Sequence, residues 1–351
     1  YLLMKELKII VDNLAIKGGV ENVVVSIANG VASKNKKVTV VCVKKCIPAF
    51  KIDERVSVKF LITKLTRIKK YYSLICYFRK ETSEGDIIYT NSVVNTLLAI
   101  IFASKKADIY ACDHNQYKAV NKFWAWLRIL LYRRLSGVIV LTNYDLEKYL
   151  RLNSNSVVFN NPVNDNFFNI QCPLDKIKDK YILNIGRLEI QKGQDLLLQA
   201  WKLVDKKGFS LWICGDGSKK KDLENLVADL GLTSSVKFLG NRDDINVLLY
   251  HAYCNILSSR FEGKPVSLIE AKVIGCPSIS FDCKTGPSEI IIDKEDGLLV
   301  ENGNIHKLAE SIQFIIDNPN VRNLFAQNTR YDRDKYSSDT ITNQYIDFFR
   351  L

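Results

Sequence analysis

Tyr181-Ile-Leu-Asn-Ile185-Gly-Arg187-Leu-Glu-Ile-Gln-Lys192-Gly193 decides the architecture. Its first five residues read as a buried strand, Gly186 allows a tight exit, and the spacing predicts a helix from about Lys192 to Lys206. A fresh strand–loop–helix unit therefore opens midway along a chain of 351 residues. Turn chemistry at Asn160-Asn-Pro-Val-Asn164 and a charged linker over Asp175–Lys180 precede it. Upstream, strands are predicted at Lys8–Asp12, Lys37–Val43, Val56–Leu61, Asp86–Thr90, Ala107–Cys112, Gly137–Leu141 and Ser156–Phe159, with a first helix over Val20–Ser33. Downstream, strands are predicted at Phe209–Cys214, Val236–Leu239, Cys254–Leu257 and Pro277–Phe281. Strands alternating with helices imply parallel sheets covered on both faces. The expected fold class is α/β, with two doubly wound, Rossmann-like domains facing a central cleft. Ligands should bind beyond the carboxyl ends of the strands.

Composition narrows the function classes. At 47% apolar and 25% charged residues the chain is neither disordered nor fibrous. The longest apolar stretch, Val93–Ser104, is too short to span a bilayer, and the first residues lack the pattern of a secretory signal. Nine scattered Cys without a C-x-x-C, and His only at 114, 251 and 306, argue against a disulfide framework or structural zinc, so a reducing cytosol is expected. Residues 1–165 hold 26 Lys and Arg against 13 Asp and Glu, a balance of +13, whereas residues 166–351 hold 24 against 25. The basic half should therefore meet something anionic.

Arg260-Phe-Glu262-Gly-Lys-Pro265-Val-Ser-Leu-Ile-Glu270-Ala271 carries the chemistry. On one continuous helix the two glutamates would point about 80° apart. Pro265 instead suggests a helix starting there, because proline fits the first helical position. Glu262 then lies in the loop before the helix and Glu270 on its second turn. Free amides at Val266 and Ser267 would form an anion seat suited to a diphosphate. A surface loop leading into an amphipathic helix fits the same residues. Arg187 and Lys192 could flank a phosphate pair, or be two solvated cations. Gly215-Asp216-Gly217 lacks a glycine at 220 and fails as a dinucleotide fingerprint, but suits a tight strand-to-helix turn.

In order and spacing, Glu-x7-Glu, Gly-Arg-x4-Lys-Gly, Gly-Asp-Gly, Phe238-Leu-Gly240, Gly18-Gly-Val-Glu21 and Asn161-Pro162-Val163 resemble the retaining GT-B glycosyltransferases of family 4. The resemblance covers nearly the whole chain. It implies that Arg187 and Lys192 hold the donor diphosphate, that Glu262 binds sugar hydroxyls and that Glu270 binds the ribose. Backbone at Val266, Ser267 and Leu268 would meet phosphate, Gly240 to Arg242 would lie near the base, and Gly18 and Gly19 would approach the sugar and phosphates closely. His114 aligns with a cleft histidine of the family and would touch the donor sugar or polarise the acceptor hydroxyl; without the family, a His between Asp and Asn is more often a loop hydrogen-bonder than a catalyst. Asp332-Arg-Asp334 matches a metal motif of the GT-A architecture but reads as surface charge. Neither a metal nor a cofactor is expected, positive charge from Arg187, Lys192 and the helix end serving instead.

The expected domains are 1–163 for the acceptor and 164–335 for the donor, with 336–351 a helix returning to the first. The expected activity moves a hexose-type sugar from a nucleotide-sugar, UDP by family prevalence, to a lipid-linked saccharide in bacterial surface polysaccharide synthesis. Two helical segments, 67–80 and 121–134, mix Trp, Tyr, Lys and Arg. They suit an anionic membrane surface, hence a peripheral place on the inner face of the cytoplasmic membrane, or they pack on the sheet with solvated cations. A UDP-sugar 2-epimerase of the same fold and a catalytically silent scaffold are the alternatives. Nucleic acid is not an expected partner, since it leaves the second-half constellation without purpose.

Overall fold

The computed structural model describes residues 5–16, 18–64, 66–112, 122–170 and 180–351. Two compact units form, Tyr1–Pro162 with Ser337–Leu351, and Val163–Tyr336.

In the first unit, strands β1 (Glu6–Val11), β2 (Lys37–Lys44), β3 (Ser57–Ile62), β4 (Ile87–Thr90), β5 (Asp108–Cys112), β6 (Gly137–Val140) and β7 (Ser156–Val158) form one sheet in the order β3-β2-β1-β4-β5-β6-β7. Every pairing is parallel. Helix α1 (Gly19–Ser33) covers one face; α2 (Arg67–Glu81), α3 (Val93–Phe102) and α4 (Lys122–Leu131) lie side by side on the other, followed by α5 (Asn143–Leu150). Local chemistry sets the helix starts: the side chains of Thr66, Ser92 and Thr142 accept from the amides of Lys69, Asn95 and Asp145. Strands buried on both faces explain the continuous Val/Ile runs of β1 and β2.

The second unit repeats the plan. Strands β8 (Tyr181–Ile185), β9 (Ser210–Cys214), β10 (Val236–Gly240), β11 (Cys254–Leu257), β12 (Ser278–Asp282) and β13 (Gly297–Glu301) pair in parallel in the order β10-β9-β8-β11-β12-β13. Helices α6 (Gln194–Leu203), α7 (Lys220–Asp229), α8 (Ile245–His251), α9 (Val266–Ile274), α10 (Ile305–Asp317) and α11 (Pro319–Asn328) intervene. The sequence reading omits β13, whose apolar run is only Leu298-Leu-Val300 and whose strand character comes from pairing with β12. In each unit the strand order reverses at one place, between β1 and β4 and between β8 and β11. Those switch points are where an open parallel sheet leaves a crevice for ligands.

The last helix, α12 (Ser338–Phe349), packs on α1 of the first unit. Its Tyr345, Phe348 and Phe349 make edge and tilted ring contacts with Tyr89, Tyr110 and Phe159. Among the described residues, no helix is long and apolar enough to cross a membrane.

Gly30 is where α1 and α12 meet, and a Cβ there would overlap the Thr342 hydroxyl. Gly→Ala inside a helix ordinarily stabilises by up to about 1 kcal/mol. Here Gly30→Ala should destabilise by about 1–3 kcal/mol through overpacking. Adding Thr342→Ala should restore most of that loss in urea denaturation; equal stability of Gly30→Ala and the parent would refute this seating of α12.

Candidate active site

The loops leaving β8 and β11, on either side of the second switch point, are bolted together. Gly193 has φ +63, and a Cβ there would run into the Ser258 carbonyl oxygen. Ser258 Oγ donates to the Lys192 carbonyl at 3.0 Å, and the Arg260 amide to the Gln191 carbonyl at 2.8 Å. The Arg260 guanidinium donates to the Ile190 carbonyl at 2.7 Å and grips Asp195 through both its oxygens, at 2.8 and 2.6 Å.

Across this junction Lys192 Nζ lies 2.6 Å from Glu262 Oε1. Ser259 Oγ donates to the same oxygen at 2.6 Å, and the Thr285 hydroxyl donates to the Glu262 backbone carbonyl. Glu262 is only 6% exposed. Lys192 has three ammonium protons and one described acceptor, so two remain for a ligand. Arg187 is exposed on the same loop, with Nη2 3.4 Å from Gln191 Oε1, while Gln194 Nε2 donates to its carbonyl at 3.1 Å.

Pro265 occupies the N-cap of α9, not the first helical position expected: its ψ of 111° is extended, and Val266 opens the helix. The Leu268 and Ile269 amides donate to the Pro265 carbonyl at 3.2 and 3.4 Å. The amides of Val266 and Ser267 thus lie in the first turn, which has no intrahelical acceptor. Glu262 sits in the preceding loop and Glu270 in the helix. Glu270 has no described hydrogen-bond or ionic partner, and burial pushes its carboxyl up to about 8.

Of the other singled-out residues, Gly240 ends β10 and its carbonyl accepts from the Gly215 amide at 2.8 Å. Arg242 is already engaged by Asp244, at 2.8 and 2.7 Å. Gly18 caps α1 and Gly19 opens it, in the first unit. His114 lies outside the described residues. Asp332 is not mere surface charge: it pairs with Lys335 and lies 3.4 Å from the buried Lys272, whose main partner is Asp296 at 2.5 Å. Asp332 is therefore a structural anion beneath α9.

The sequence reading missed Ser259, Thr285 and Asp195, and gave no role to Arg260, which opens the quoted stretch. Of the three missed, Ser259 left a signal, as a polar residue two positions beyond the end of β11.

Residues 169–332 match the family of glycosyl transferases group 1. The chain is 29% identical over 352 residues to the amylovoran biosynthesis glycosyltransferase AmsD of Erwinia amylovora, covering 98% of this chain and 99% of that one. It is 26% identical, over 89% of each chain, to the alpha-1,4-N-acetyl-D-galactosaminyltransferase of Campylobacter jejuni named for GalNAc-alpha-(1->4)-GalNAc-alpha-(1->3)-diNAcBac-PP-undecaprenol. Among solved structures, Anabaena HepE in complex with UDP superposes with TM-score 0.81 at 19% identity, over 99% of this chain and 100% of that one. Staphylococcus aureus TarM in complex with fondaparinux, alpha-GlcNAc-glycerol and UDP superposes with TM-score 0.82 at 17% identity, over 99% and 100%. The fold is GT-B, as the ordered motifs implied.

The Glu270 shift has a consequence for stability. A carboxyl held near 8 in the folded protein and near 4.5 when unfolded keeps a proton that the unfolded chain releases between those values. Its contribution is therefore fully present below about pH 4.5 and is lost as pH rises toward 8. Glu270→Gln should match the parent near pH 4.5 and exceed it by on the order of 2 kcal/mol at pH 8, read by urea denaturation at both values. A variant no more stable than the parent at pH 8 would remove the assigned burial.

Proposed function

We propose that this chain, whose residues 169–332 belong to the group 1 glycosyl transferases, moves a hexose-type sugar from a UDP-linked donor to a hydroxyl of a lipid-linked saccharide. The transfer retains anomeric configuration and serves a bacterial surface polysaccharide. The observation that carries this reading is the Lys192–Glu262 bridge at the second switch point, with Arg187 exposed beside it. Buried charge at a strand end suits ligand binding better than packing.

Arg187 and Lys192 hold the donor diphosphate and, with the first turn of α9 at Val266 to Leu268, stabilise the negative charge that grows as the nucleotide leaves. Glu262 accepts from sugar hydroxyls, Glu270 from the ribose diol, and Gly240 to Arg242 flank the base. Gly18 and Gly19 let backbone approach the donor. The acceptor hydroxyl attacks the anomeric carbon from the leaving-group face, its proton passing to the departing phosphate, and His114 touches the donor sugar or polarises that hydroxyl. Cationic side chains and backbone amides supply the charge compensation, without a metal. Relatives support the acceptor class: the Campylobacter enzyme is named for an undecaprenol-linked saccharide, and LpsE of Rhizobium meliloti for lipopolysaccharide core biosynthesis. The HepE and TarM structures, both with UDP, support the donor. No relative named here is an epimerase, which leaves that alternative unsupported.

The face made by α2, α3 and α4 supports a place on an anionic membrane, on its cytoplasmic side. Phe123, Trp126, Ile129 and Leu130 are 50–60% exposed and form one stripe of α4. Ile68 and Tyr72 of α2 are 83% and 71% exposed. Arg67, Lys69, Arg79, Lys80, Arg133 and Arg134 are exposed around them. The inner faces of both helices pack on the sheet, as the alternative reading had it, through Leu74, Tyr77, Phe78 and Leu131.

Calorimetry with UDP tests the donor assignment. Arg187→Ala should lose about 1.5–3 kcal/mol of affinity, as for a hydrogen bond to a charged group. Glu270→Ala should also weaken UDP binding, whereas Glu262→Ala should keep it and lose turnover. Normal UDP binding by both Arg187→Ala and Glu270→Ala defeats the donor site.

Liposome co-sedimentation tests docking. Binding to phosphatidylserine-containing vesicles should fall as salt screens the basic residues over roughly 10 Å at 0.1 M, with the residue of binding removed by Phe123→Ala/Trp126→Ala. Equal binding to neutral vesicles, or none to anionic vesicles at low salt, rejects this surface.

A further inference from the structure

The first unit carries its own polar constellation at its own switch point, between β1 and β4, and nothing above uses it. Asp12 follows β1, Asn95 stands in the first turn of α3 just after β4, and Lys70 comes from α2. Lys70 Nζ lies 2.6 Å from Asp12 Oδ2, and Asn95 Nδ2 donates to Asp12 Oδ1 at 3.0 Å. Asn95 is 1% exposed, and its Oδ1 is buried without a hydrogen-bond partner. The carboxylate fixes the amide this way round, since only the NH2 can face it. A buried carbonyl left unpaired costs stability that a leucine would not, which marks the amide as placed to hold Asp12.

The Asp12 side chain is 41% exposed and that of Lys70 16%, with two ammonium protons of Lys70 uncommitted. Glu21, in the first turn of α1, adds negative charge nearby: burial chiefly, and then the charge of Asp12, hold its carboxyl above the usual range. Two carboxyl groups repel a phosphate, whereas a sugar hydroxyl can donate to Asp12 and accept from Lys70 at once. We propose that Asp12, held by Lys70 and Asn95, binds hydroxyls of an uncharged sugar at the end of the acceptor. This rests on the glycosyl-transfer reading.

Saturation-transfer NMR on the full chain provides the test, with the methyl glycosides of glucose, galactose, N-acetylglucosamine and N-acetylgalactosamine, and glucose 6-phosphate as the charged comparison. At least one neutral glycoside should bind, and Asp12→Asn should weaken it by about ten- to hundred-fold. Asn95→Leu should be at least as stable as the parent to heat, yet lose glycoside binding. The proposal is overturned if no neutral glycoside binds the parent, if glucose 6-phosphate binds more tightly than all of them, if Asp12→Asn binds as the parent does, or if Asn95→Leu is destabilised. UDP calorimetry on the same samples separates the two readings. Loss of UDP binding in the parent counts against the donor site alone, whereas glycoside loss in Asp12→Asn at parental UDP affinity supports the subsite.

Discussion

A carboxylate as buried as Glu262 needs a cation, and the loop leaving β8 brings one in Lys192. Two chain segments about seventy residues apart in sequence must therefore close to 2.6 Å at the β8/β11 switch point. The backbone follows from that demand. Only a residue without a Cβ fits at Gly193, where the first loop passes under the Ser258 carbonyl. Arg260 and Asp195 clamp the flanks, and Ser259 and Thr285 fix the carboxylate and its backbone. Replacing such a pair by well-packed apolar residues is often neutral or stabilising. Its presence is therefore a constraint that packing alone does not explain.

The fold was legible to the extent that burial on both sheet faces writes itself as apolar runs. Val38–Val43 and Ile182–Leu183 could only be interior strands once helical segments alternated with them. β13 escaped because its apolar run, Leu298-Leu-Val300, is too short to signal alone, and its strand character appears only in the pairing with β12. Pro265 displaced the start of α9 by one residue, since a proline fixes φ but leaves ψ free to be extended. Spacing after strand ends singled out Lys192 and Glu262, and these two do meet across the junction. Asp195 and Thr285 were not singled out, because their roles arise only when loops from three strands converge.

Helix α4 shows a different limit of pattern reading. Its periodicity predicts a helix correctly, but periodicity does not say which face is inside. Arg128 is 1% exposed, donating to Tyr149 Oη at 3.1 Å with its guanidinium over the Tyr149 ring, while Phe123, Trp126, Ile129 and Leu130 face outward. With Leu131, Trp124 and Leu127 packed inward beside Arg128, and four large apolar residues left outward, α4 is apolar on both faces, unlike the usual surface helix. An exposed apolar face of that kind persists in water only at a cost, so a second phase or partner is its natural counterpart.

The two units use one architectural device for opposite electrostatics. At the β8/β11 switch point the part-buried Lys192 and the exposed Arg187 stand beside the buried Glu262, with the first-turn amides of α9 following on the same loop, a field that favours phosphate. At the β1/β4 switch point Asp12 stands forward with Lys70 behind it, and Glu21 deepens the negative potential, a field that favours neutral hydroxyl groups. A doubly wound sheet fixes where a crevice opens but not its charge. The charge comes from a few side chains on the first turns after the strands. In the function proposed above, the same fold, written twice in one chain, receives an anionic leaving group in one unit and a neutral nucleophile in the other.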